Sequence, residues 1–405
     1  MAVKLRYYDN DMSKGIIYDW QHIRKEYLKL KCPKDVYNPF RCDYEKAGIN
    51  VAISDRSQGK TTNPLLMSML MQRDYGTQAH YIRQSSDMTT PKILKDLFRT
   101  IREYHYIEKI WDGTFNDVVY RGKRWQLIYR DGDGQITANH PDPCLTCFGL
   151  DESDAIKSSY NAPRGDVVIY DEFIASVYGY SDSIRFFDIC KTIFRDRYSP
   201  VILMLSNNIN LNSPWFDELC IRDEVNAMQQ GDNKYITVPD GPTIFMDILP
   251  AKLNEQRLKV NKRFFGFPNP KLASITGKGT WSTESYPHIP ADDEEDPAEQ
   301  LLGNLYIRQS GKLVRLRVMR TNKVGMMVYV TPATKTYSDS IILTAGEITD
   351  RRELWGYGNK DSRILDLIWR LYKANRWYYL TNSEGALVKS YLALVRSMQR
   401  DRMMV

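Results

Sequence analysis

One stretch constrains this chain more than any other: Val51-Ala52-Ile53-Ser54-Asp55-Arg56-Ser57-Gln58-Gly59-Lys60-Thr61-Thr62. A short apolar run ends in a polar turn, and Gly-Lys-Thr opens a segment, Asn63 to Arg73, with helical character. A phosphate-binding loop needs this order: a strand, backbone amides able to curl round oxygens, a lysine, then a hydroxyl for magnesium. Residues Ser54 to Thr62 are therefore candidate nucleotide contacts, with Thr61 also a metal contact. Ser54 stands where the motif G-x-x-x-x-G-K-[ST] usually has its first glycine.

A second stretch supplies what such a loop requires. In Gly165-Asp166-Val167-Val168-Ile169-Tyr170-Asp171-Glu172-Phe173, β-favouring apolar residues deliver two carboxylates to the end of a strand. In an open α/β sheet that end is where ligands bind. By reach, Asp171 holds magnesium through water and Glu172 polarises the attacking water. Ser183 to Phe194 reads as an amphipathic helix, ended by Arg195-Asp196-Arg197. Val201 to Leu205 is a further buried strand closing in Ser206-Asn207-Asn208, where Asn207 suits a γ-phosphate sensor and equally a plain turn.

Other segments leave alternatives open. Tyr37-Asn38-Pro39 could hold an adenine base or pack the N-terminal region. His80 to Arg83 reads as a strand whose arginine reaches a nucleotide or makes a surface ion pair. Pro91 to Tyr104 reads as one helix, and Val118 to Asp131 as a hairpin. His140, Cys144 and Cys147 have the spacing of zinc ligands, yet no second pair follows to close a four-ligand site. The helix after the phosphate loop is expected to bury Leu65, Leu66, Met69 and Leu70 on one side.

At 405 residues the chain exceeds one ordinary core. No apolar run approaches the ~18 residues of a membrane span, and the first residues lack the apolar core of a signal peptide. Six scattered cysteines suit a reducing compartment. The charge is uneven: from Leu301 on, 18 Lys and Arg face 8 Asp and Glu, whereas the first 300 residues are net acidic. A basic tail suggests a polyanionic partner, or a surface suited to solubility.

Together these residues resemble the genome-packaging ATPases of small tailed bacteriophages, the phi-twenty-nine-like family. The resemblance runs through Tyr37-Asn38-Pro39, the phosphate loop, Tyr81-Ile82-Arg83, Asp171-Glu172-Phe173, Phe194-Arg195-Asp196-Arg197 and Leu205-Ser206-Asn207. It implies an α/β P-loop NTPase of the additional-strand, catalytic-glutamate type, using ATP and Mg2+ in a ring, usually a pentamer, on the phage portal. Carried over by position, Lys60 contacts phosphates, Thr61 contacts magnesium, and Glu172 activates water. Arg195 is the finger inserted into the neighbour's site, with Arg197 as close competitor, and Lys157 also acts across the interface. The expected partners are double-stranded DNA, the portal and a scaffold RNA, in the host cytoplasm and on the procapsid, with no membrane.

The expected divisions are an ATPase domain over 1–249, a linker and lid over 250–297 with a helix from Pro250 to Phe264, and a basic domain over 298–405. The last reads as strands at Leu313 to Val318, Val324 to Val330 and Ser340 to Thr344, then helices at Ile364 to Lys373 and Gly385 to Met398. The resemblance makes it ribonuclease-H-like. A nuclease of that fold needs carboxylates for two metals, whereas Arg315, Arg317 and Arg320 occupy the strands, so it is expected to be vestigial. Three function classes remain: a DNA-translocating ATPase, with a packaging enzyme that retains an active nuclease domain as its variant; a P-loop ATPase or kinase acting on another substrate; and a structural phage protein.

Overall fold

In the computed structural model, the structure describes residues 17–33, 36–54, 58–162, 164–174, 181–195, 197, 199–206, 213–250, 286–288, 300–309, 311–321, 325–358 and 362–403. The expected helix from Pro250 to Phe264 lies, apart from Pro250 itself, outside them. The chain divides into two compact units. One comprises Met1–Ala175, Ser181–Ile209 and Leu219–Trp281; the other comprises Ser176–Tyr180, Asn210–Glu218 and Ser282–Val405.

The first unit opens with α1 (Trp20–Lys29), whose first turn is capped by Asp19 accepting from the His22 amide at 2.9 Å. Strand β1 (Ile49–Ile53) follows, buried along its length. Helix α2 (Thr62–Tyr75) starts beside Pro64 and stops at Gly76, which takes the left-handed conformation at φ 70°. Asn63 through Gln72 are all buried, so α2 is enclosed on every side rather than on one. It runs between the sheet and a helical layer built from the next segment.

That layer follows β2 (Gln78–Arg83): α3 (Pro91–Leu94), α4 (Arg99–Glu103) and α5 (Tyr106–Ile110). The apolar pattern from Pro91 to Tyr104 suggested one helix, but the chain breaks between α3 and α4. Tight turn bonds from Leu97 N to Leu94 O and from Arg99 N to Asp96 O replace the helical ladder there.

Strands β3 (Asp117–Arg121) and β4 (Arg124–Arg130) form the expected hairpin, and β5 (Ile136–Asn139) adds to β4. Then come β6 (Leu145–Gly149), α6 (Ser153–Ser159), β7 (Gly165–Asp171), α7 (Asp182–Phe194) and β8 (Val201–Ser206). Helix α8 (Pro214–Glu218) falls within the second unit, and α9 (Arg222–Asn226) precedes β9 (Asn233–Thr237) and β10 (Thr243–Ile248) of the first.

The sheet runs β3-β4-β6-β2-β7-β8-β1-β10-β9, and its six central strands from β6 to β10 are parallel. Buried parallel strands read as continuous apolar runs, which is why Val167–Tyr170 and Val201–Leu205 are legible in the sequence. Strand β8 lies between β1 and β7, pairing with both.

The second unit is built on a six-stranded sheet of β11 (Gln300–Gln309), β12 (Lys312–Thr321), β13 (Gly325–Pro332), β14 (Ile341–Thr344), β15 (Glu353–Trp355) and β16 (Trp377–Tyr379). Its order is β15-β14-β11-β12-β13-β16. Strands β11, β12 and β13 are antiparallel, whereas β14 and β15 continue parallel to β11. Helices α10 (Arg363–Lys373) and α11 (Asn382–Met403) bury Leu365, Ile368, Val388 and Val395 in one core with Leu316, Val328 and Leu343 of the sheet. Among the described residues, no helix is long and apolar enough to cross a membrane.

Candidate functional site

Strand order brings the two decisive stretches to one edge. Strands β1 and β7 are parallel and separated by β8 alone, so Ile53 and Asp171 end at the same side of the sheet. Beyond β1, the Ser54 amide donates to Ser206 O at 3.2 Å, which ties the loop to the end of β8. Ser54 and Lys60 are both buried, and the Lys60 ammonium donates to Ser54 Oγ at 2.6 Å. Where a glycine was expected there is therefore a hydroxyl that holds the lysine. Asp55, Arg56 and Ser57 lie outside the described residues.

Gly59 adopts φ 72°, a conformation glycine reaches without strain. A Cβ there would also stand 3.1 Å from Val36 Cβ. Gln58 is buried, receives the Tyr37 amide on its carbonyl at 2.7 Å, and donates from Nε2 to Pro250 O at 3.0 Å. The Tyr37 ring is 0% exposed, and its hydroxyl accepts from Asn50 Nδ2 at 2.9 Å. Asn38 caps the turn at Pro39, accepting from the Phe40 amide at 2.9 Å. The packing reading of this segment is the one its geometry matches: Tyr37 braces the loop through its backbone.

Thr61 occupies the N-cap of α2, yet its side chain makes no cap hydrogen bond. Its hydroxyl instead donates to Asp171 Oδ2 at 2.9 Å. The same oxygen accepts from the Tyr81 hydroxyl at 2.7 Å. Burial, and then the Asp171 charge, push the Tyr81 phenol well above its ordinary range, so it remains a proton donor to the carboxylate. Thr62, the first residue of α2, lies partly buried beside it.

Arg83, at the end of β2, makes an ion pair as one of its two readings had it, but with the carboxylates of this site. Its guanidinium donates to Glu172 Oε2 at 2.5 Å and to the Tyr81 hydroxyl at 3.2 Å, and stands 3.8 Å from Asp171 Oδ2. Glu172 sits at φ 58°, in the left-handed region that a non-glycine residue enters at a cost of roughly 1–3 kcal/mol. The following amide, Phe173 N, donates to Leu205 O at 3.2 Å and holds that turn.

Hard oxygen donors from a hydroxyl and a carboxylate suit a magnesium ion, with substrate phosphates and waters completing its shell. Thr61 and Asp171, already in contact, form such a pair. Lys60 and the amides opening α2 are groups of the kind that can bind phosphate.

The arginines after α7 separate clearly. Arg195 is exposed, takes φ 39° and ψ −109°, and donates from Nη2 to Tyr160 O at 3.2 Å. Arg197 is only 12% exposed and its Nε lies 3.4 Å from Asp166 Oδ1, at the start of β7. Asp166 also accepts from the Tyr18 hydroxyl. Both arginines therefore sit at the opposite end of β7 from Glu172. At ~3.3 Å per strand residue that is about 20 Å from their own chain's carboxylates. Lys157, on α6, pairs with Asp188 of α7 at 2.7 Å, on the same helix pair as Arg195. Asn207 lies outside the described residues.

The zinc spacing has a different outcome. His140 Nδ1 accepts from the Asp142 amide at 3.0 Å, Cys144 Sγ donates to Trp125 O at 3.3 Å, and Cys147 is buried in β6. Burial pushes the Cys144 thiol up to about 12, away from the thiolate form that binds metal. Among the described residues no group of three or more His, Cys, Asp or Glu could hold a metal ion.

The fold and this edge define a mixed α/β protein with a parallel-rich sheet and a lysine–threonine loop facing a strand-end carboxylate pair. Its whole-chain likeness is to phage packaging motors. The bacteriophage Phi-29 viral genome packaging motor assembly matches with a TM-score of 0.53 at 15% identity, over 90% of this chain and 100% of that one. The Phi-28 gp11 DNA packaging motor matches with a TM-score of 0.52 at 15% identity, over 90% and 98%. At such identity the likeness is one of fold. No family model and no curated protein matches the chain.

Proposed function

We propose that this chain is an ATP-hydrolysing motor subunit that moves double-stranded viral DNA into a procapsid, working as a ring on the portal. One observation carries the reading: Lys60, Thr61, Asp171 and Glu172 converge at one edge of the sheet while Arg195 is presented at the other. An arginine about 20 Å from its own chain's carboxylates is out of reach of its own site, which supports a role at a neighbour's. Strand β8, interposed between β1 and β7, supports the additional-strand, catalytic-glutamate type of P-loop fold.

In this reading Lys60 and the α2 amides bind the phosphates, and Thr61 and Asp171 hold the magnesium that bound ATP brings. Glu172 orients and deprotonates water once Arg83 releases it. Arg195 of the adjacent subunit offers fixed charge and two donors to the γ-phosphate, an addition worth about 10³–10⁵ in rate in comparable sites. The buried pair of Arg197 with Asp166 favours Arg195 over Arg197 for that role. Lys157 lies on the same face and serves the same interface.

The second unit reads as a ribonuclease-H-like domain without nuclease chemistry. Three antiparallel strands, with two parallel strands beyond β11 and one beyond β13, support the fold. Among the described residues of its six strands, Glu353 is the only acid. Its carboxylate is engaged by Arg308, the amides of Thr349 and Asp350, and the Thr349 hydroxyl. The basic sheet is the surface for sequence-independent phosphate contacts, as a motor running along any genome requires.

ATP hydrolysis with and without double-stranded DNA tests the reading. Turnover should rise with DNA and vanish in Glu172→Ala. Mixed assemblies of Arg195→Ala with Lys60→Ala subunits should regain hydrolysis that neither shows alone. No recovery despite demonstrated co-assembly would remove the trans-acting finger.

A further inference from the structure

The turn that presents Arg195 is held in a conformation it would not choose. Arg195 follows the last residue of α7 at φ 39°, ψ −109°, outside the regions that an L residue with a long side chain prefers. Such a conformation persists where its surroundings over-determine it. Two backbone bonds bracket the turn: Arg195 N donates to Lys191 O at 3.0 Å, and Arg197 N donates to Phe194 O at 2.9 Å. Neither bond connects the turn to the sheet.

Arg197 makes that connection. Its side chain turns inward and meets Asp166, the second residue of β7, which is itself nearly inaccessible. Asp166 in turn receives the hydroxyl of Tyr18, just before α1, and Tyr18 shares a 2.9 Å hydrogen bond with Thr77, just before β2. Two separate segments thus meet at one buried carboxylate, and a third, at Thr77, holds the Tyr18 hydroxyl that reaches it. A buried ion pair of this kind is a weak source of net stability, and its best-attested use is to fix one arrangement over others.

We infer that Arg197, through Asp166 and Tyr18, is a positioning residue that sets the reach of Arg195 into the neighbouring subunit's nucleotide site. The inference rests on the trans-acting finger proposed above. Two arginines two positions apart then have different tasks: the exposed one meets the phosphate, and the buried one fixes where it stands. Displacing a reacting or stabilising group by about 1 Å costs about 10²-fold in rate, so losing the brace should be nearly as damaging as losing the finger.

The test uses full-length chain in mixed assemblies. The double variant Arg197→Met with Asp166→Asn removes the brace without leaving a buried unpaired charge, and Arg197→Lys in the native background is run beside it. The expected result for the double variant is a loss of turnover of about 10²-fold, with ATP affinity within two-fold of the parent. Mixing it with Lys60→Ala subunits should restore hydrolysis, because those subunits supply an intact finger. Mixing it with Arg195→Ala should not, because both lack the same function. Arg197→Lys, which keeps a cation opposite Asp166, should retain part of the turnover, and it carries the test if the double variant fails to fold.

Near-parental turnover in the double variant or, failing its folding, in both Arg197→Lys and Asp166→Asn would overturn the inference. So would a deficit that Lys60→Ala does not complement while it does complement Arg195→Ala, since that marks damage to the variant's own site. If Arg195→Ala is itself not complemented, the trans-acting finger fails and the brace falls with it.

Discussion

Arg83 and Glu172 are joined by a 2.5 Å hydrogen bond between guanidinium and carboxylate, across the ends of β2 and β7. The carboxylate assigned to activate water is thereby engaged by a cation of its own chain. Before Glu172 accepts a proton, that contact must open. Glu172 is 44% exposed, so solvent screens the pair and it is worth about 1 kcal/mol. Arg83→Ala should therefore raise DNA-independent ATP turnover about five-fold and shrink the ratio of DNA-stimulated to basal rates. A fall in basal turnover would mean that Arg83 assembles the site and does not restrain it.

Ser54 offers a second handle on the loop. Its hydroxyl accepts from the buried Lys60 ammonium at 2.6 Å, a bond that competes with phosphate for the same donor. A hydrogen bond to a charged group contributes about 1.5–3 kcal/mol, partly replaced here by water entering the gap. Ser54→Gly should accordingly tighten ATP binding by about three- to ten-fold, read by titration with a fluorescent ATP analogue. Unchanged or weaker affinity would show that Ser54 Oγ pre-orients Lys60.

Arg195 and Arg197 should differ in stability as sharply as in position. Removing one partner of a buried pair costs about 3–5 kcal/mol when its geometry is good. The 3.4 Å separation from Asp166 puts Arg197→Ala near the low end. Its unfolding midpoint should drop by about 5–10 °C, whereas exposed Arg195→Ala should stay within about 1 °C. Equal melting temperatures would deny Arg197 its anchoring role.

Much of this site is legible along the chain because its parts are local. Apolar Val51–Ile53 before Gly-Lys-Thr, and Val167–Tyr170 before Asp171-Glu172, announce both strand ends through composition alone. Arg83 is legible only as a residue that reaches a nucleotide or pairs at the surface; its partners are not, since they lie 88 and 89 positions downstream and nothing beside it signals them. The same holds for the choice between Arg195 and Arg197, which turns on Asp166 in another element. Full burial of α2 depends on a helical layer whose packing its own sequence does not encode. Strands β9, β10 and β11 escaped notice because polar residues and glycine interrupt their apolar positions.

Asp247 gives a pH dependence with a definite sign. It is fully buried in β10, and its closest cation, Arg41, approaches to 2.9 Å without the alignment of a hydrogen bond. Burial outweighs that attraction and pushes the carboxyl up to about 6. A folded-state value raised above the unfolded one favours the protonated folded form. The stability it contributes is thus full below about 4 and lost as pH rises through 6. Thermal melts should therefore show a gain of about 2 kcal/mol between pH 7.5 and 4.5 from this group. Asp247→Asn should flatten that portion of the profile; an unchanged profile would assign it to other groups.

The basic sheet of the second unit can be tested without reference to nucleotide. Arg315 donates to Asn304 Oδ1 at 2.8 Å and lies over the Tyr337 ring at 5.0 Å, while Arg317 lies 6.0 Å from the Tyr329 ring centre. These contacts are with neutral groups, so each guanidinium keeps its charge for a phosphate while its plane is held by an aromatic face. Strand β12 puts the two on one side, because they are two residues apart. If they neutralise DNA phosphates, each contributes about 0.9 to the slope of log affinity against log salt. Arg315→Ala and Arg317→Ala together should lower that slope by about 2, equally for DNA of any sequence, in anisotropy titrations across salt concentrations. A parental slope would move the DNA-binding surface off this sheet.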